Sequence, residues 1–298
     1  MVGARQVRVR AHAKINLALH IRGTRPDGYH DLQTVFQSLA LHDTLTCTVR
    51  KGPFIIRCDD EQIPVDERNL VWRAAESLWR ALGRDGQPRG AAVAIAKQIP
   101  VQAGLGGGSA DAAAALVALS WLWAGRRHVD LGPVAASIGA DVPFFLIGGT
   151  ALGLERGDDL FPLPDLMPHW VVLAWPGFGV ATADAYRWCD HDAGPSTTAA
   201  GSRQTIAGWP GRTLLVHNDL QDCVERRHPD IGRIRRSLSD HGACAAAMTG
   251  SGSAVFGLFG SAFRARRAAV AVAGAGSIAI VTRTIDRRAA TGGLRARR

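Results

Sequence analysis

Residues Pro100–Ala115 read Pro-Val-Gln-Ala-Gly-Leu-Gly-Gly-Gly-Ser-Ala-Asp-Ala-Ala-Ala-Ala, a glycine cluster set between two different periodicities. Upstream, Val93 and Ile95 alternate with Ala92, Ala94 and Ala96 as in a short strand; downstream, Ala112, Leu116, Leu119 and Trp123 recur at helical spacing until Gly125. The glycines therefore form a strand-to-helix turn. A helix start leaves backbone N–H groups unpaired at the positive end of the helix dipole, and glycines let phosphate oxygens approach them closely. The loop suits a nucleoside triphosphate. It is neither of the two common glycine-rich fingerprints: a Walker loop would need a lysine where the sequence has Gly108-Ser109-Ala110, and a dinucleotide loop would need glycine at Ser109. A plain flexible turn is the alternative reading.

A chain of 298 residues is long enough for two ordinary domains, and 47% hydrophobic with 20% charged residues excludes intrinsic disorder. No apolar run approaches the roughly 18–20 residues of a membrane span, and Met1–Arg10 lacks a signal-peptide core. A cytoplasmic protein without membrane partners is expected. The five cysteines, Cys47, Cys58, Cys189, Cys223 and Cys244, never form a Cys-x-x-Cys pair, so buried thiols are expected rather than a disulfide frame or a zinc site.

The net charge of +9 raises the question of nucleic acid or an anionic metabolite. Six of the arginines lie between Arg283 and Arg298, a stretch without aromatic residues or apolar period, which predicts a solvated end rather than a nucleic-acid surface. Lysine occurs only at Lys14, Lys51 and Lys97, and two of these flank motifs. An ammonium differs from a guanidinium in being a compact charge with a tunable pKa.

From Val7 to Ile21 the odd positions are apolar and most even ones polar, which predicts two strand segments broken near His12–Lys14, with Lys14 and Asn16 on one polar face. Arg25-Pro26-Asp27-Gly28 is a turn followed by Tyr29 and His30. Val35–Val49 reads as strands, Asn69–Leu82 as an amphipathic helix and Val134–Ile138 as a short helix closed by Gly139. Asp141, two residues before Pro143, fits a helix N-cap as well as a catalytic carboxylate. Arg156-Gly157-Asp158-Asp159 and the prolines after it suggest a boundary between domains of residues 1–155 and 156–298. Trp170–Trp175 reads as a strand and Ala193–Gly211 as a loop. Thr249-Gly250-Ser251-Gly252-Ser253 is a second glycine turn before the apolar run Ala254–Phe259.

Taken together, Ala13-Lys14-Ile15-Asn16-Leu17, Pro26-Asp27-Gly28-Tyr29-His30, Gly104-Leu105-Gly106-Gly107-Gly108-Ser109, Gly139-Ala140-Asp141-Val142-Pro143 and Thr249-Gly250-Ser251-Gly252 resemble, in order, the motifs of the GHMP kinase superfamily. The Asp-Gly-Tyr-His segment resembles the members that act on a cytidine diphosphate derivative. Gln102, Ala103 and Ser253 depart from the family pattern. The resemblance implies an α/β (α+β) fold of two domains, the first ribosomal-protein-S5-like and the second ferredoxin-like, with the site between them.

It further implies an ATP-dependent small-molecule kinase that phosphorylates the tertiary 2-hydroxyl of its acceptor, with mevalonate- or homoserine-type kinases as the alternative. Lys14 and Asp141 would be the catalytic pair. Pro100, Val101, Gln102, Ala103, Gly104, Leu105, Gly106, Gly107, Gly108, Ser109 and Ala110 would form the triphosphate loop, with Asn69 and Lys97 toward the adenine. Asn16 and His30 would hydrogen-bond the cytosine, and Tyr29 and Tyr186 would stack on its faces, Thr182 lying in the same segment as Tyr186. Mg²⁺ is expected on ATP oxygens and water, with Ser109 at hand and no protein carboxylate assigned as its ligand.

Overall fold

The computed structural model describes residues 6–26, 28–124, 129–193 and 216–294. The expected loop Ala193–Gly211 lies almost wholly outside them, as do Asp27 and Gly125. Two sheets pack back to back, each covered on its outer face by helices. The first sheet is built on two long antiparallel strands, β1 (Gln6–Thr24) and β2 (His30–Pro53). One edge of β2 holds β4 (Arg89–Ala96) and then β5 (Thr150–Glu155), while β3 (Ile55–Cys58) lies parallel to β4.

The apolar alternation of β1 is one continuous strand with a register shift where a break was expected. Across it Leu39, Ala40 and Leu41 of β2 stand opposite Ala13 alone. The shift redirects the strand's faces. Val7, Val9 and Ala11 pack with the outer helices, whereas Ala13, Ile15 and Leu17 pack against the second sheet. Lys14 and Asn16 are thereby turned inward, buried beneath the glycine loop rather than exposed on a polar face.

The helical layer of the first sheet comprises α1 (Leu70–Ala81), α2 (Gly107–Trp123), α3 (Leu131–Ile138) and α4 (Val142–Ile147). Asn69 starts α1 by accepting the Val71 N–H at 2.9 Å. The alanine run makes α2 apolar all round, as suits a helix enclosed by its neighbours. Ala110 through Leu116 are all buried.

Beyond residue 155 come β6 (Asp159–Pro162), β7 (Trp170–Trp175), α5 (Thr182–Ala193), β8 (His217–Asn218), α6 (Gln221–Arg227) and α7 (Pro229–Asp240). They are followed by β9 (Ala245–Met248), β10 (Val255–Phe259), α8 (Ala262–Gly274), β11 (Ile278–Arg283) and α9 (Arg287–Leu294). The second sheet runs β11-β7-β10-β9, all antiparallel, with α7 and α8 as its crossovers, which is a ferredoxin-like plait. Its strands alternate faces as period 2 requires: Val171 and Leu173 meet the first sheet, while Val172 and Ala174 meet the helices.

Sheet membership does not follow a line between 155 and 156. β6 pairs with β5 across it, and β8 pairs in parallel with β1. The expected solvated end is also corrected. Arg287–Leu294 is a helix that returns to the first sheet, with Ala290 and Leu294 buried and the Arg287 guanidinium donating to the carbonyls of Thr150 and Leu163. Alanine and glycine gave that segment little apolar period, and burial of two small faces suffices. Nor are the thiols uniformly buried, since Cys58 and Cys189 are half-buried and Cys244 is exposed.

Candidate active site

Three backbone segments converge on one cavity of about 440 Å³. The Lys14 N–H donates to Leu105 O at 3.0 Å, tying β1 to the first glycine loop, and the Asn16 N–H donates to Thr249 Oγ1 at 3.0 Å, tying it to the second. The two loops touch directly. A Cβ on Gly104 would stand 2.3 Å from Thr249 O, so glycine is obligatory there, and its φ of +76° agrees. Gly106, at φ +71°, caps α2 beneath Phe145 and the stem of Lys14. The N–H groups of Gly107, Gly108 and Ser109 form the first turn of α2 and have no acceptor within the helix. Gln102 holds φ +54°, a conformation that favours glycine.

Lys14 is 4% exposed, and its ammonium donates to Asn16 Oδ1 at 2.7 Å while lying 3.5 Å from Asp141 Oδ2. Asp141 sits at the N-cap position of α4, yet its side chain makes no capping hydrogen bond. The carboxylate lines the cavity and faces Lys14 instead. Asn16 is held on both sides, since its amide donates to Thr34 Oγ1 at 2.7 Å and Thr34 in turn donates to Ala18 O at 2.8 Å.

Lys97 and Asn69 are engaged within the protein. Lys97 donates to Asp43 and to Asp111 Oδ2, the latter at 2.8 Å, behind the loop near Gly107. Burial pushes the Asp111 carboxyl up and opposes a charge on Lys97, but the two carboxylates keep the lysine pKa raised. The Asn69 side chain caps α1 and donates to Pro64 O at 2.6 Å. Lys97 thereby ties the strand before the loop to α2 and β2, while Asn69 fixes the start of α1.

On the other side of the cavity, α5 contributes Thr182, whose hydroxyl pairs with Ser251 Oγ at 3.1 Å, and Tyr186. Burial, reinforced by the nearby Asp141 charge, raises the Tyr186 phenol pKa. His30 stacks on Tyr186 with ring centres 4.6 Å apart, and its Nε2 pairs with Asp190 Oδ1 at 2.9 Å. Tyr29 is 61% exposed beside Arg156 and is not part of the cavity wall. The histidine and Tyr186 are therefore brought together, whereas a ring sandwich with Tyr29 is not formed in this arrangement. Sequence reasoning missed Thr34, Phe36, Arg156 and Ser251 in the wall and the Asp43–Asp111 pair behind it. Ser251 stood in the second glycine turn and Arg156 in a turn motif, and Asp111 carried a signal as a lone carboxylate in an alanine-rich helix.

Models of the GHMP kinases N terminal domain and of the GHMP kinases C terminal match residues 69–149 and 205–278. The chain is 41% identical over 294 residues to a 4-diphosphocytidyl-2-C-methyl-D-erythritol kinase of Pelotomaculum thermopropionicum, covering 93% of this chain and 98% of the relative. A crystal structure of 4-(cytidine 5'-diphospho)-2C-methyl-D-erythritol kinase superposes with a TM-score of 0.75 at 36% identity, covering 93% of this chain and 98% of that one. The homoserine kinase of Cytophaga hutchinsonii shares the fold at 21% identity and a TM-score of 0.69, over 94% and 95% of the two chains. With a glycine loop at a helix start, a lysine–aspartate pair facing it and relatives matched over nearly their whole length, the chain belongs to the 4-diphosphocytidyl-2-C-methyl-D-erythritol kinase family of the GHMP kinases, a family of small-molecule kinases.

Proposed function

We propose that the chain transfers the γ-phosphoryl group of ATP to the 2-hydroxyl of 4-diphosphocytidyl-2-C-methyl-D-erythritol, with Lys14 and Asp141 as the catalytic pair. The observation that carries this reading is the Asp141 carboxylate, free of capping and 3.5 Å from a buried ammonium at the mouth of the glycine loop. Phosphoryl transfer asks mainly for positioning and charge stabilisation. The N–H groups of Gly107, Gly108 and Ser109 would hold phosphate oxygens. Asp141 would orient the acceptor hydroxyl and take its proton as the oxygen bonds to phosphorus and the bond to ADP breaks. The Lys14 ammonium would offset negative charge on the transferring group, while Asn16 fixes its position.

Mg²⁺ fits the loop as a partner of the phosphates rather than of a protein cage. Asp141 is the one carboxylate among the described cavity residues, and Ser109 supplies a half-exposed hydroxyl on the first turn of α2. When bound, the ion neutralises phosphate charge. Tyr186 and His30 form an aromatic platform suited to a pyrimidine base, and Arg156 brings a cation to the same cavity for the acceptor's diphosphate. A coupled assay of ADP release with the cytidyl acceptor, mevalonate and homoserine tests the reading. Turnover with the cytidyl acceptor alone supports it; equal turnover of mevalonate or of methylerythritol without the cytidyl group refutes the acceptor and leaves the kinase chemistry standing.

A further inference from the structure

Away from the cavity, where β8 joins β1, two imidazoles and a carboxylate face one another. His217 Nε2 lies 2.5 Å from Asp219 Oδ1, and His20 Nδ1 lies 3.9 Å from the same oxygen. One donor atom from each residue falls within 4.8 Å of the others. His20 is only 4% exposed, and its Nδ1 has no hydrogen-bond partner among the described residues. A buried ring nitrogen left unpaired loses its water without compensation.

We propose that His20 Nδ1, His217 Nε2 and Asp219 Oδ1 form a binding site for a borderline divalent transition metal, with Zn²⁺ as the representative ion. Two imidazole nitrogens and one carboxylate oxygen are a common zinc donor set, with water completing the shell, and they suit Mg²⁺ poorly. The carboxylate is pre-oriented, because Asp219 Oδ2 accepts the Ile21 N–H at 2.7 Å and the Asp219 N–H donates to Leu19 O at 3.0 Å. The two rings are stacked, 4.7 Å apart and 16° from parallel, so one ion cannot lie in both ring planes as they stand. His217 is half-exposed and is the ring that turns. On binding, the proton between His217 and Asp219 leaves to solvent and the ion takes its place.

Such an ion would clip β8 to β1. Between His217 on β8 and Asp219 just past its end lies Asn218, whose amide donates to Met248 O at 2.9 Å and Gly250 O at 2.8 Å. The second glycine turn, which lines the cavity through Gly250 and Ser251, is thus braced from the same short segment. The site is independent of the acceptor assignment.

Calorimetric titration of the chelator-treated full-length chain with ZnCl2, and with MgCl2 in parallel, tests the proposal. One equivalent of Zn²⁺ is expected to bind, with Mg²⁺ leaving this site empty, and His217→Ala is expected to weaken Zn²⁺ by at least about tenfold. Because His217 is on the surface, that variant keeps the fold, which a melting curve checks; His20→Asn is the second arm. Co²⁺ in place of Zn²⁺ should give visible bands without a thiolate charge-transfer band. Absence of saturable Zn²⁺ binding, unchanged affinity in His217→Ala, or a thiolate band assigning the ion to nearby Cys189 would overturn the proposal.

Discussion

Asp141→Asn separates a catalytic carboxylate from a helix cap, because an asparagine can still cap the helix but cannot take a proton. Asparagine caps a helix about as well as aspartate, whereas outright loss of a cap costs about 0.5–2 kcal/mol. Here the side chain makes no capping bond, so that contribution is absent. What the substitution removes is the pair with Lys14 at 3.5 Å, in which the aspartate side chain is 36% exposed. Unit charges at that separation attract by about 5 kcal/mol at an effective dielectric of 20, and solvent at Asp141 reduces the net value to about 1 kcal/mol. Lys14 retains Asn16 Oδ1 at 2.7 Å, which limits the cost of leaving its ammonium buried. The expected stability loss is therefore about 1 kcal/mol, a Tm drop of about 2–4 °C. Loss of a general base costs about 10²–10⁴ in kcat, equivalent to about 3–5 kcal/mol of transition-state stabilisation. Steady-state kinetics with ATP varied at saturating acceptor, paired with thermal melts, measures both. A large fall in kcat with an unchanged ATP KM is expected; kcat within a few-fold of wild type would return Asp141 to a structural role.

Gly104→Ala puts a methyl 2.3 Å from the Thr249 carbonyl at a positive φ, so denaturant unfolding should show a loss of about 2–5 kcal/mol and the ATP KM should rise; unchanged values would mean that the two glycine turns are not in contact. His30→Ala and Tyr186→Ala should each raise the KM for the cytidyl acceptor at least about tenfold while leaving that for ATP within a few-fold, and an effect on ATP alone would reassign the platform. Burial, with the His42 charge as the next cause, lowers the His12 pKa from 6.5 to about 4, so the folded state resists a proton that the unfolded chain accepts. The corresponding stabilisation of about 3 kcal/mol is complete above pH 6.5 and is lost as pH falls toward 4. Urea midpoints between pH 7 and 4 should therefore fall less steeply in His12→Gln than in wild type, His20 adding to the remaining slope, and equal slopes would contradict the assignment.

Local signals in the sequence were sufficient for the loop and for most elements that carry it. A glycine cluster between a period-2 and a period-3.6 pattern specifies a strand, a turn and a helix start without reference to the rest of the chain, and Asn69 and Gly139 mark helix ends by their own chemistry. The identity of Lys14, Asn16 and Asp141 as candidates was legible as well, since each stands in a short motif. What those residues touch was decided by tertiary structure. Unbroken odd-position alternation in β1 cannot reveal that a register shift sends Ala11 and Ala13 into different cores and turns Lys14 inward, because the extra residues lie on the partner strand. Lys97 takes its acceptors from Asp43 and Asp111, which only folding brings to it, whereas Asn69 uses the carbonyl of nearby Pro64. The same is true of α9, whose alanines and glycines carry almost no pattern of their own and acquire a buried face only where β1 and α4 leave a shallow groove for Ala290 and Leu294.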